Sequence, residues 1–106
     1  AMDEDELLVE KVITLLTRSK GRDLYDVWYL LKSDITISSQ LFERKLKKLL
    51  EEYGLKDEFS WDSYPSKEEY TEDMERLVPQ VVPYSQVKTE VKNRIEDLKE
   101  KVSLDI

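Results

Sequence analysis

Apolar residues recur at helical intervals through most of the chain. Leu8, Val12, Leu15 and Leu16 follow an acidic start, which predicts an amphipathic helix over residues 4–19 ended by Gly21. A second helix begins near Asp23, where Leu24, Val27, Trp28, Leu30 and Leu31 form a broad apolar face, so it is expected to be short, central and largely buried. "DITISS" alternates β-branched and polar residues but is too short for a sheet and reads as a loop. Ser38 or Ser39 then caps a third helix through Tyr53, with Leu41, Phe42, Leu46, Leu49 and Leu50 inward and Gly54 as its stop. Glu43 and Lys47 have the spacing of an i,i+4 pair on it.

Residues 54–65 lack a clean period, yet they carry Phe59, Trp61 and Tyr64 and are expected to pack against the helices rather than swing free. Ser66 and Glu69 have capping-box spacing and open a fourth helix whose Tyr70, Met74 and Leu77 share a face up to about Val78, before Pro79. Val87, Val91, Ile95, Leu98 and Val102 form one stripe on a last helix from about Ser85 to Val102. The sum is an all-α fold of about five helices, in an antiparallel bundle or an irregular helical array, with 1–106 as a single helical domain.

Composition narrows the chemistry. Hydrophobic residues make up 40% and charged residues 39% of 106, as in a folded chain with a heavily solvated surface. Without cysteine there is no disulfide framework or thiolate zinc site, and the cytoplasm is the expected location. No apolar run approaches the roughly 20 residues of a membrane span, so no membrane partner is expected. Without histidine, Ser-His-Asp and Cys-His nucleophiles and imidazole metal sites are excluded. A net charge of −7 opposes wholesale attraction to phosphate backbones, so any nucleic-acid contact must be local.

"TRSKGRDLYDVWYLLK", residues 17–32, crowds charges around Gly21. Helix-start chemistry explains much of it: Asp23 can cap the second helix, Asp26 complements its dipole, and Arg22 can pair with Asp26 or stay in water. A sharper reading adds Lys11 and Arg18, seven residues apart and so two turns along one face, with the small Thr14 between them. Two cations flanking a small residue leave room for a phosphate.

"KVITLLTR" (11–18) followed by "RDLYD" (22–26) resembles the paired C-terminal motifs of the AbiEii/AbiGii-type nucleotidyltransferase toxins, Lys-x-x-Ala-x-x-x-Arg and then Arg-Asp-x-x-Asp. "VWYLL" and the later "EEYTEDMERLV" are similar to the segments that follow in the family, with Thr14 in place of the usual alanine. The resemblance implies that Lys11, Arg18 and Arg22 contact nucleotide phosphates and that Asp23 and Asp26 are the catalytic carboxylates, one acting on a proton or a cation. It also implies a mixed α/β half upstream, bearing a Gly-Ser turn and an Asp-x-Asp pair for Mg²⁺. Here neither glycine is followed by serine, and the one Asp-x-Asp, Asp3 to Asp5, lies at the terminus without a glycine-rich turn. The expectation is therefore the helical C-terminal half of a larger nucleotidyltransferase, with Ala1 a cloning remnant, no metal site or cofactor of its own, and no transfer without its N-terminal half. Implied partners are that half, a nucleoside triphosphate, a transfer RNA acceptor and a cognate antitoxin.

Other features have plainer readings. "ERKLKK" places Arg44, Lys45, Lys47 and Lys48 on a solvated helix face that could also meet a nucleic-acid acceptor, and the aromatic connector reads as a satellite core rather than a base-stacking platform. Two other functions are open: a freestanding helical protein-interaction domain with no catalytic role, and a small metal-dependent phosphohydrolase using helix carboxylates.

Overall fold

The computed structural model describes residues 4–18, 20–33, 37–54 and 58–102. They form five helices: α1 (Glu4–Arg18), α2 (Gly21–Leu31), α3 (Ser39–Glu52), α4 (Lys67–Glu75) and α5 (Tyr84–Lys101). Among the described residues there is no strand, and no helix is long and apolar enough to cross a membrane. The loop read at "DITISS" lies partly outside them, since residues 34–36 are not described.

The arrangement is an irregular array around α2, which packs against α1, α4 and α5, while α3 lies on α1 and α4 on α5. α2 holds this place because Leu24, Val27, Trp28 and Leu31 are buried along one face, with Gly21 and Asp23 buried at its start. Leu8, Val9, Val12, Leu15 and Leu16 of α1, Phe42 and Leu46 of α3, Tyr70 and Met74 of α4, and Val87, Val91, Ile95 and Leu98 of α5 complete one core. Full burial of each such large side chain contributes about 1.5–3 kcal/mol before conformational entropy is subtracted.

Capping chemistry sets several boundaries. Ser38 accepts from the Leu41 N–H at 3.3 Å to start α3, and Ser66 accepts from the Glu69 N–H at 3.1 Å to start α4. Gly54, at φ +62°, turns the chain after α3 in the left-handed region. The aromatic connector packs as expected: Phe59 is buried, Trp61 lies 5.6 Å from Phe42 and 5.3 Å from Phe59, and the Ser60 N–H donates to the Leu16 carbonyl at 3.0 Å. Tyrosine hydroxyls tie the second half together. Tyr70 donates to the Val82 carbonyl at 2.7 Å and Tyr84 to that of Pro65 at 2.6 Å.

Two expectations change. α4 ends at Glu75, and Leu77 is 57% exposed instead of continuing the Tyr70 and Met74 face. Steric restriction of the residue before Pro79 disfavours helical backbone there, and the Leu77 and Val78 amides close the turn on the Met74 carbonyl. Gly21 is the first residue of α2, not the stop of α1. It is buried against α4, and a Cβ at this position would lie 2.7 Å from Tyr70 Cα and 2.8 Å from the Glu69 carbonyl oxygen. Its lack of a side chain is thus what lets two backbones touch.

Candidate functional site

The short link between α1 and α2 sets the end of one beside the start of the other, and charged residues of both helices meet across that junction. α2 is capped from inside. Asp23, at the third helical position, accepts the Lys20 backbone N–H at 3.2 Å, which closes the entry turn and complements the helix dipole. This differs from the expected cap by one turn, because the helix begins before Asp23 rather than after it.

The same carboxylate receives Arg18 in a fork, Nε to Oδ2 at 3.0 Å and Nη2 to Oδ1 at 2.7 Å. The Asp23 side chain is 2% exposed and that of Arg18 49%, so the anion is buried while half of the guanidinium faces solvent. The Asp23 hydrogen bonds and charge hold Arg18 protonated above the ordinary arginine range. Two turns earlier on α1, Lys11 Nζ pairs with Asp26 Oδ2 at 3.3 Å, with the two side chains 35% and 30% exposed. Lys11 with Asp26 and Arg18 with Asp23 are two rungs between α1 and α2, and the Thr14 hydroxyl between them turns back to the Glu10 carbonyl at 2.8 Å. Arg22 is exposed on the outer side of α2 and makes no ion pair among the described residues.

A family model for the nucleotidyl transferase AbiEii toxin of type IV toxin–antitoxin systems matches residues 1–105. The chain belongs to the AbiEii nucleotidyltransferase toxin family. Neither a curated protein nor a solved structure matches it.

The two segments that resemble AbiEii motifs are thus the facing sides of one helix junction. The structure joins Lys11 to Asp26 and Arg18 to Asp23, with Arg22 on the rim. The donor set does not suit a magnesium ion. Both Asp23 oxygens accept from Arg18, one also from Lys20, and Asp26 accepts from Lys11, so no pair of free carboxylate oxygens is presented. Among the described residues no group of three or more aspartates and glutamates converges. Of the terminal Asp3 to Asp5 pair, Asp3 lies outside the described residues and Asp5 is exposed.

Sequence reasoning passed over Asp73 and Tyr29. Asp73 of α4 accepts the Gly21 N–H at 3.0 Å and so braces the start of α2 from a distant part of the chain. No local pattern marks it, since the contact depends on how α4 packs. Tyr29 is 61% exposed and stacks on Tyr25 with ring centroids 6.3 Å apart and planes at 28°. Its phase was a usable signal, because Tyr25 and Tyr29 lie off the apolar stripe of Leu24, Val27, Trp28 and Leu31. Of the "ERKLKK" run, Lys45 pairs with Glu10 at 3.3 Å, while Arg44, Lys47 and Lys48 are exposed.

Proposed function

We propose that this chain is the helical C-terminal module of a nucleotidyltransferase toxin and that the α1–α2 junction meets the phosphates of a nucleoside triphosphate. The observation that carries this reading is the double rung: Lys11 and Arg18 are held at fixed positions by buried or half-buried carboxylates, yet each keeps part of its charge open to solvent. A cation whose position is already fixed loses less side-chain freedom on meeting a phosphate. Arg18 retains guanidinium N–H groups beyond the two that Asp23 receives, and Arg22 adds an exposed fork on the rim.

The two aspartates then take different parts. Asp23 is a positioning residue, because its oxygens are occupied and it lies beneath Arg18. Asp26 is the carboxylate open enough to approach a substrate and accept a proton. Magnesium would be held by carboxylates of an N-terminal half, where it would neutralise charge on the transferring phosphoryl group. A transfer RNA acceptor would use local cations such as Arg44, Lys47 and Lys48, and a cognate antitoxin is the expected protein partner.

The test is nucleotide transfer by the intact protein that carries this chain. Lys11→Ala and Asp26→Asn should each lower transfer at least 10-fold with the melting temperature within a few degrees of the parent, since both groups are partly exposed. Full transfer by the double variant would remove the reading.

A further inference from the structure

Three exposed large apolar side chains stand out: Tyr29, Tyr53 and Leu77. Tyr53 is the C-cap of α3 and Leu77 follows the last turn of α4, so their exposure belongs to helix ends. Tyr29 is different. It sits inside α2, backed by a ladder of rings in which Tyr25 lies 6.3 Å from Tyr29 and 5.7 Å from Trp28. Trp28 is buried and donates its indole N–H to Glu90 of α5, with Lys32 over its ring at 4.4 Å. The base of the ladder is therefore fixed in the core, its middle ring is partly buried, and its outermost ring is offered to solvent.

Tyr29 is seven residues beyond Arg22, so the two share one line along α2, about 10 Å apart at roughly 1.5 Å per residue. Asp26, with its Lys11 partner, flanks that line between them. An exposed cation, a paired cation and an exposed ring at this spacing match the two ends of one nucleotide, anionic phosphates and a flat base.

We infer that Tyr29, backed by Tyr25, is the platform on which the base of the donor nucleoside triphosphate stacks, with its phosphates lying toward Arg22 and Lys11. The inference rests on the phosphate-site reading above and adds the base subsite. Stacking on a ring face tolerates any base, so this subsite strengthens binding without selecting strongly among the four nucleotides.

The experiment compares inorganic tripolyphosphate with each of the four nucleoside triphosphates by equilibrium binding to the intact protein carrying this chain. Tyr29→Ala should weaken nucleoside triphosphate binding about 5- to 100-fold and leave tripolyphosphate binding unchanged. Tyr29→Phe should keep both, Tyr53→Ala should change neither, and Arg22→Ala should weaken both. Equal nucleoside triphosphate affinity in Tyr29→Ala and the parent overturns the base subsite while leaving the phosphate reading intact. Failure of the parent protein to bind either ligand overturns both.

Discussion

Replacing Gly21 with alanine should destabilise the protein, although the same change in an ordinary helix stabilises it. In a helix interior, Gly→Ala gains up to about 1 kcal/mol from reduced backbone entropy. At Gly21 the new methyl would meet Tyr70 Cα at 2.7 Å, the Glu69 oxygen at 2.8 Å and Asp73 Oδ2 at 2.9 Å. Two of these atoms are α4 backbone, so the strain cannot be relieved by a side-chain rotation. Overpacking of this kind costs about 1–3 kcal/mol, and separating α2 from α4 also lengthens the Gly21 to Asp73 hydrogen bond, now 3.0 Å. The net loss is about 1–2 kcal/mol, or a melting temperature roughly 5–10 °C lower for a domain of this size. Thermal unfolding followed by circular dichroism measures it. Gly54→Ala is the companion: nothing lies within 4 Å of its added Cβ, but φ is +62°, so it should cost about 1 kcal/mol through backbone strain alone. A Gly21→Ala protein as stable as its parent would refute the backbone-contact account of the α2–α4 interface.

The Arg18 and Asp23 rung should respond asymmetrically. Arg18→Met strands a buried carboxylate and should cost about 2–3 kcal/mol in denaturant unfolding, whereas Asp23→Asn leaves a solvated guanidinium and should cost nearer 1 kcal/mol; equal costs would contradict the burial difference. Tyr64 is pushed up to about 12 by burial and then by Asp62 and Glu96, so its phenol is protonated in the fold at pH values where the unfolded chain begins to ionise near 10. The stability linked to it is complete below pH 10 and is lost as pH rises toward 12, and Tyr64→Phe should reduce that alkaline loss in unfolding curves taken across this window.

Much of this molecule could be read from local pattern because its helices announce themselves by period and cap. The inward residues of α5, the Ser38 and Ser66 caps and the buried face of α2 all follow from spacing within a single helix. The choice of Lys11, Arg18, Arg22, Asp23 and Asp26 also came from short stretches and family likeness, and α1 and α2 do bring the first two cations onto the two aspartates. What spacing could not convey was depth. Asp23 looks like a surface cap in the chain but lies under Arg18, because α2 starts two residues earlier than its charge pattern suggests. Gly21 looked like a stop signal because α4, which makes its bareness necessary, is encoded far away. Asp73 was illegible for the same reason.

The Ser60 amide bonded to the Leu16 carbonyl ties the end of α1 to a remote part of the chain. The final turn of the helix that carries Arg18 receives a backbone donor from beyond α3, so a carbonyl that the helix itself leaves open is satisfied by a contact that closes a long loop. Helices α1 and α2 can each begin to coil on local contacts. The junction they share is held at its edge by that remote amide as well, so its geometry depends on the connector staying docked.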